Sequence, residues 1–296
     1  MLQETILLYE RYCKICHKNN SQPIWFDDGF INNTQPDNKL LLCNVNVDLK
    51  YFSSARVQVR NINVNVNGNG KLTLIIGFGA IVENLNITIG SGDLTLFIGP
   101  FSDIKNLVIQ SFDDQNYIFF GAGNTVNIGN LLTQGTGAGI FFGHDCMFST
   151  NFHARTSDSH SIFSYSSRQI INLDSSIKLG DHCWIGRQVI FNKGVNTEDD
   201  LIIGQGSVVN GKLDGASCYA GTPAKKIKNE VTWERARMNS IDDIVDTYSY
   251  RPRQKAVNSF LLNDLPFHPA FNNFLVEIRT KYKINKDYRW IPTEGV

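Results

Sequence analysis

The amino-acid sequence predicts an all-β solenoid, a fold in which short parallel strands wind into stacked coils. Two spacings indicate it: apolar segments recur every 22 residues over 72–143, and single apolar residues recur every six residues over 179–213. The composition agrees, since 42% of the 296 residues are hydrophobic and 24 are Gly, while only 8 are Pro. Such hydrophobicity, with a formal net charge of zero, excludes an intrinsically disordered chain.

The 22-residue repeat consists of four apolar segments that each end in a glycine. Period-two alternation followed by Gly is typical of a strand with a tight corner after it. In a parallel solenoid, each such coil covers the apolar face of its neighbour. The four segments are Leu72–Gly77, Leu94–Gly99, Asn116–Gly121 and Ala138–Gly143.

The six-residue repeat places one inward side chain on each flat face of a triangular prism, which gives a coil of about 18 residues. Cys183 and Cys146 occupy small inward positions of the two repeats, so we expect both thiols to be buried. Residues 149–172 break the spacing and are predicted to loop out of the coil wall. The repeat itself comprises Leu179, Ile185, Phe191, Thr197, Ile203 and Val209.

Two flanks lack the repeat. We therefore divide the chain into an N-terminal cap (1–40), the β-helix with its loop (41–224) and a C-terminal, mainly helical extension (225–296). Amphipathic or Pro-initiated patterns predict helices at 3–17, 230–245 and 269–283. Since the last coil of a solenoid exposes apolar surface, the first expectation for both flanks is capping and oligomer contact.

Charge and hydropathy exclude several classes of partner. With 28 basic and 28 acidic residues there is no charge excess to neutralise the phosphates of nucleic acid. No segment approaches the roughly 20 apolar residues of a membrane span. Glu4, Glu10 and Arg11 interrupt the apolar core that a signal peptide needs, so a cytoplasmic protein is expected.

A short cysteine motif near the N-terminus, Cys13-Lys-Ile-Cys16-His17, matches the haem-attachment pattern. As half of a zinc site it lacks a second closely spaced pair of ligands. A structural or incidental role is the favoured interpretation, and no metal is expected.

Four motifs of the six-residue region carry a resemblance to a known family. Residues 140–240 resemble the hexapeptide-repeat acetyltransferases, and they are most similar to O-acetyltransferases that act on bacterial capsular polysaccharides, including those containing sialic acid. The resemblance implies a left-handed parallel β-helix that uses acetyl-CoA as co-substrate and assembles as a homo-oligomer, by family a trimer. The motifs are His153–Ile162, Leu179–Val189, Ile203–Val209 and Ala220–Lys225.

The resemblance implies three catalytic candidates. His160 would be the general base, a role that suits imidazole because it titrates near neutrality; the alternative is an ordinary surface-loop histidine. Asp158 could orient the imidazole or bind the acceptor hydroxyl, or it could merely stabilise its own turn. Trp184 occupies an outward strand position, where the resemblance places it beside the thioester and the alternative is packing at a subunit interface.

The donor candidates lie in the last coils. By resemblance, acetyl-CoA lies in a cleft between neighbouring subunits, and a cation there would meet the nucleotide phosphates. The alternative for the two lysines is a solvated pair. The candidates are Trp184, Gly204, Ser207, Ala220, Pro223, Lys225 and Lys226.

The predicted reaction is direct acetyl transfer from acetyl-CoA to a hydroxyl of a capsular or other cell-surface polysaccharide or oligosaccharide. No Gly-x-Ser-x-Gly motif indicates a covalent intermediate. Two alternatives stay open at this point. One is N-acetylation of an amino sugar or sugar nucleotide, and the other is a non-catalytic solenoid that binds glycans.

Overall fold

A computed structural model describes residues 58–77, 80–99, 102–233 and 235, together with four further short strands. The Cys13–Cys16 motif, the helix predicted at 3–17 and most of the C-terminal extension lie outside these residues. The described residues contain no helix.

Most of the described residues form one parallel β-solenoid, consistent with the predicted fold class. A 14-stranded sheet wraps two faces of a triangular prism. In chain order its strands are β1 (Ile31–Asn33), β3 (Gln58–Val66), β5 (Ile81–Ile89), β7 (Asp103–Ser111), β9 (Thr125–Val126), β10 (Gly129–Thr133), β12 (Met147–Phe148), β13 (Phe152–Arg155), β15 (Trp184–Ile185), β16 (Ile190–Phe191), β18 (Leu201–Ile203), β19 (Val208–Val209), β21 (Ser217–Ala220) and β22 (Lys225–Asn229).

An eight-stranded parallel sheet forms the third face. Its strands are β2 (Lys39–Leu42), β4 (Leu72–Ile76), β6 (Leu94–Ile98), β8 (Asn116–Phe120), β11 (Gly139–Phe142), β14 (Ile177–Leu179), β17 (Asn196–Thr197) and β20 (Lys212–Leu213). We call this sheet face 3. Face 1 then carries β9, β12, β15, β18 and β21, and face 2 carries β10, β13, β16 and β19.

The strand pairing confirms both predicted spacings. Leu72, Leu94 and Asn116 are successive partners, which gives coils of 22 residues. Trp184 pairs with Ile202, which gives a coil of 18 residues. The last coil is shorter by two residues, because Leu201 pairs with Ser217.

In each of the long early coils, one continuous nine-residue strand forms both face 1 and face 2, and it bends at an asparagine between them. Asn61, Asn84 and Asn106 adopt positive φ angles of 53°, 55° and 49°, a conformation that Asn tolerates better than most residues. The Asn61 amide donates to Asn84 Oδ1, and the Asn84 amide donates to Asn106 Oδ1, both at 2.9 Å. This ladder fixes the bend from coil to coil.

The core fills the prism with aliphatic side chains and rings. All six members of the six-residue repeat are buried, as are Cys146 and Cys183, which confirms the predicted inward phase. Burial raises the pKa of the Cys146 thiol well above its usual value. Phe142 and Phe152 each pack against Phe148 with ring centroids 4.7 Å apart and the rings tilted relative to each other. Each fully buried ring of this size stabilises the fold by about 1.5–3 kcal/mol.

The interruption of the wall begins later than the predicted boundary of 149. Strand β13, at Phe152–Arg155, pairs with Ile190 and Phe191 of β16, so the wall continues to Arg155. The chain then leaves the coil over residues 156–176 and returns as β14. Ala154 is buried, follows Phe148 by six residues and pairs with Phe191, so the inward phase of the repeat continues to this point.

The C-terminal extension departs from the helical prediction wherever it is described. Residues 225–229 form β22, an antiparallel edge strand on β21, and residues 230–233 are not helical. Lysines on an edge strand discourage pairing with another chain, which explains a polar strand at this end of the sheet. A separate two-stranded sheet joins β23 (Tyr282–Ile284) to β24 (Trp290–Pro292), so the helix predicted at 269–283 does not extend to its last two residues.

Candidate functional site

The candidate residues are distributed over the three corners of the prism and one face. We call the corner between faces 2 and 3 the loop corner, because residues 156–176 leave the wall there. The corner between faces 3 and 1 is the histidine corner, where Asp145, His182 and Asp200 follow one another in successive coils. The corner between faces 1 and 2, at residues 204–207, is the glycine corner.

His160 lies on a tightly braced turn at the loop corner. Arg155, at the end of β13, donates from Nε to the Ser157 carbonyl at 2.7 Å and from Nη2 to Ser159 Oγ at 2.8 Å. The Ser159 amide donates to Ser157 Oγ at 2.9 Å, and Ser159 has a φ of 64°. His160 follows directly and is exposed. Within the described residues, no hydrogen bond to its imidazole is present, so both ring nitrogens are open to a ligand.

The Asp158 carboxylate bonds to side chains other than the His160 imidazole. Its Oδ2 accepts a bond from Asn172 Nδ2 at 2.9 Å and pairs with Lys193 Nζ at 2.7 Å. These two contacts hold the pKa of the Asp158 carboxyl below its usual value. Of the roles open to Asp158 from the sequence, its geometry favours organising the turn.

Residues 161–173 form an arm beyond the His160 turn. Its two strands run antiparallel, with a bridge between Phe163 and Ile170 and backbone bonds from Ser164 to Gln169 and from Ile171 to Ile162, both at 2.9 Å. The arm exposes several large apolar side chains, and a group of this kind indicates an interaction surface. They are Ile162, Phe163, Tyr165, Ile170, Ile171 and Leu173, which are 43–103% exposed.

Trp184 lies on the outer surface of face 1, as the alternation predicted, and it is 40% exposed. Met147 and Ile202 flank it on the adjacent coils. Its indole lies 6.1 Å from the ring of Trp233, at an interplanar angle of 43°. A half-exposed indole between apolar neighbours offers a flat surface to a ligand or to another chain.

A buried network at the histidine corner supports this surface. His182 Nδ1 lies 3.0 Å from Asp145 Oδ2, and Nε2 lies 3.8 Å from Asp200 Oδ1. The imidazole stacks on the Trp233 ring at 4.4 Å. Burial lowers the pKa of His182, but the hydrogen bond and charge of Asp145, reinforced by Asp200, outweigh it and raise that pKa above its ordinary value.

The donor candidates come together at the glycine corner and on β22. A Cβ on Gly204 would lie 3.0 Å from the Cβ of Ala220 in the next coil, so the two coils approach each other closely at this corner. Ser207 is buried; its hydroxyl donates to the Gly204 carbonyl at 2.7 Å and accepts from the Gly221 amide at 3.1 Å. The Ser207 hydroxyl is therefore bonded within the corner, and a ligand there would contact backbone groups instead.

The two lysines of the donor set differ in their contacts. Lys226 forms an ion pair with Asp214 and lies 5.7 Å from the centroid of the Tyr219 ring. The bond to Asp214 raises the pKa of Lys226. Lys225 and Pro223 are exposed. Lys225 is therefore the cation of this pair that is more open to an anionic ligand.

One chain does not bring all the candidates together. Each prism face is about six residues, or roughly 20 Å, wide. The loop corner, which carries His160, lies opposite face 1, which carries Trp184. Among the described residues, Trp184 makes no hydrogen bond or ring contact with the His160 turn. The His160 turn and the Trp184 surface are therefore separate regions of the chain.

Sequence reasoning missed two groups of residues. Asn172 contacts the His160 turn from 12–14 positions along the chain and Lys193 from 35 positions, and neither belongs to a motif. Asp145, His182 and Asp200 do carry a signal, because each directly precedes an inward residue (Cys146, Cys183 and Leu201) and the three therefore share one corner. In the described residues no group of three or more metal-ligating side chains occurs, and no helix there is long and apolar enough to cross a membrane.

Comparison with known proteins gives relatives of one kind. A polysialic acid O-acetyltransferase of Escherichia coli O1:K1 / APEC is 36% identical over 120 residues, which are 38% of this chain and 39% of that protein. One from Neisseria meningitidis is 29% identical over 93 residues, 31% of this chain and 43% of that protein. The predicted resemblance is confirmed. The chain spans about two fifths of the length of these curated relatives, and no protein-family model matches it.

Solved structures support the same fold. The polysialic acid O-acetyltransferase OatWY superposes with a TM-score of 0.56 at 24% identity, over 66% of this chain and 98% of that one. The polySia-specific acetyltransferase NeuO gives a TM-score of 0.54 at 25% identity, over 74% of this chain and 88% of that one. The predicted left-handed parallel β-helix is thereby confirmed as the fold class.

Proposed function

We propose that this chain transfers the acetyl group of acetyl-CoA to a hydroxyl of a capsular polysaccharide, with polysialic acid as the first acceptor to test. The observation that carries the proposal is the exposed imidazole of His160 on a turn fixed by Arg155 and Ser157. The acceptor follows from the names of the curated relatives, which are polysialic acid O-acetyltransferases.

In the proposed reaction, His160 removes the proton of an acceptor hydroxyl while the oxygen attacks the thioester carbonyl. The carbonyl oxygen becomes an oxyanion, which a backbone N–H or the indole N–H of Trp184 would stabilise. The carbon–sulfur bond then breaks, and the imidazolium returns its proton to the thiolate of coenzyme A. The products are the O-acetyl ester and free coenzyme A, and His160 ends as it began.

Direct transfer is favoured over an acyl-enzyme because two core thiols and the Ser207 hydroxyl are unsuited to act as nucleophiles. The thiols of Cys146 and Cys183 lie in the core, and burial raises the pKa of Cys146, which keeps it protonated. The Ser207 hydroxyl is bonded within its own corner.

We propose that the working enzyme is a homotrimer with the site between copies. The separation of His160 and Trp184 on one prism supports a shared site, and the apolar arm at residues 161–173 supports contact with another chain. Acetyl-CoA would then lie between the glycine corner and the neighbouring copy, with Lys225 near its phosphates. Since acetyl-CoA is a cytoplasmic metabolite, the proposal keeps the predicted cytoplasmic location.

The direct test is transfer of labelled acetyl from acetyl-CoA to polysialic acid by the full chain. The His160→Ala variant should lower kcat by about 10²–10⁴-fold, the usual contribution of a general base. His153→Ala is the matched control, because His153 is also exposed and lies seven residues earlier. Wild-type turnover by His160→Ala would overturn the assignment of the base. Labelling only of amino sugars would favour N-acetylation, and no transfer to any acceptor would favour a glycan-binding solenoid.

A further inference from the structure

The His160 turn is held by a side chain that reaches across the base of the arm. Asn172 lies on the returning strand of the arm, twelve residues after His160. Its Nδ2 donates to the His160 carbonyl at 2.8 Å and to Asp158 Oδ2 at 2.9 Å. Its Oδ1 accepts from the Ile162 amide at 2.7 Å. One amide therefore fixes the backbone on both sides of the imidazole.

A lysine from the next coil fastens this arrangement to the solenoid wall. Lys193 lies between β16 and β17, at the same loop corner from which the chain departs after β13. Its Nζ pairs with Asp158 Oδ2 at 2.7 Å and donates to the Asn172 carbonyl. The Lys193 side chain is 18% exposed and that of Asp158 is 46% exposed, so only the lysine end of the pair is shielded from solvent.

Together these contacts fix the backbone of His160 while leaving its imidazole without a bond from the described residues. We propose that Asn172 and Lys193 are positioning residues, which set the direction in which the His160 imidazole leaves the wall. The inference rests on the proposed function of His160. Its physical basis is that a base displaced by about 1 Å from its substrate can lose on the order of 100-fold in rate.

The test separates positioning from binding and from folding. Lys193→Met keeps the length of the side chain but loses the charge, and it should lower kcat by about 10–100-fold with little change in KM for acetyl-CoA. Lys193→Arg can still pair with Asp158 and should recover most of that loss. Lys178→Met, at a half-buried lysine on β14, is the matched control and should keep wild-type kcat. Asn172→Asp, which places a second negative charge beside Asp158, provides an independent variant and should also lose kcat.

A double-mutant cycle gives the readout that a merely structural role would not produce. If Lys193 acts through His160, Lys193→Met should cost little further activity in a His160→Ala background. An equal loss in both backgrounds, a loss confined to KM, or wild-type kcat in both Lys193→Met and Asn172→Asp would overturn the inference. Wild-type turnover by His160→Ala would instead overturn the proposed function, so the two failures are distinguishable.

Discussion

The imidazole of His182 lies between two carboxylates and a tryptophan ring, which makes it the main buried titratable centre of the histidine corner. The Asp145 and Asp200 carboxylates and the backbone carbonyl of Trp233, which lies 3.2 Å from His182 Nε2, all favour its charged form. Because their effect exceeds that of burial, the pKa of His182 in the folded protein lies above its ordinary value of 6.5. Folding is therefore coupled to proton uptake at this residue.

The sign of this coupling gives a prediction for stability against pH. The contribution of His182 is fully present below pH 6.5 and is lost as the pH rises through the raised pKa of the folded state. His182→Gln, which leaves both carboxylates without their cation, should cost about 1–3 kcal/mol near pH 6 and clearly less at pH 9. Urea unfolding at a series of pH values measures the difference. His153→Gln, at an exposed histidine, is the control variant. A cost of His182→Gln that grows with pH would contradict this assignment.

A second residue-scale prediction concerns the column of glycines that stack at one corner of the early coils. A Cβ on Gly99 would lie 2.5 Å and 2.6 Å from the carbonyl carbon and oxygen of Gly121, which are backbone atoms that cannot rotate away. Gly99→Ala should therefore destabilise the fold by about 1–3 kcal/mol. Gly90→Ala is the control, because its nearest contact is 3.3 Å from the side chain of Phe112. Equal melting temperatures for the two variants would show that the close approach has no cost.

At this scale the sequence predicts exposure better than contacts. Alternation along a strand places Trp184 outward and Cys183 inward, and both are observed. The partners of Asp158 could not be predicted, because Asn172 lies on the arm and Lys193 lies in the turn between β16 and β17 of the next coil. Only the three-dimensional stacking of coils brings those positions together.

At the scale of elements, the arm at residues 161–173 is the feature that the solenoid itself does not require. Replacing Phe163 and Ile170 by Ser should dissociate the proposed oligomer and abolish the proposed transfer while preserving the β-sheet circular dichroism, since neither side chain belongs to the core. Light scattering after size exclusion measures the oligomer. The matched control replaces Phe112 and Ile128, an exposed pair on the coil wall. Dissociation by the control pair alone would place the interface elsewhere.

The strands of the repeat were predictable because inward phase and coil spacing reinforce each other over many coils. Strand β22 was not, because its residues Lys225–Asn229 are all exposed and carry no period-two pattern. Its conformation depends on the free edge of β21, which a local pattern does not reveal. The same reason explains why residues 230–233 are not helical: the Thr232 hydroxyl bonds to Asp200 at 2.7 Å and the Trp233 indole to the His182 carbonyl at 2.8 Å.

At the scale of the whole molecule, the prism separates the proposed base from the indole proposed to line the donor site. Since His160 lies at the loop corner and Trp184 on the opposite face, we propose that each active site combines two chains. In a closed ring of identical chains, every copy supplies the base to one site and the indole to the next. In the proposed oligomer, acetyl transfer would therefore occur at a site shared between copies.

Complementation between two inactive variants, His160→Ala and Trp184→Ala, tests most directly whether the site is shared between copies. We expect each to lack transfer to polysialic acid by itself. After they are unfolded together and reassembled in equal amounts, about a quarter of the sites in randomly mixed rings contain both intact residues, and a corresponding fraction of wild-type activity should return. Mass spectrometry of differently tagged chains would show whether mixed oligomers form. If they form and no activity returns, the base and the indole do not act across copies, and the shared site is contradicted.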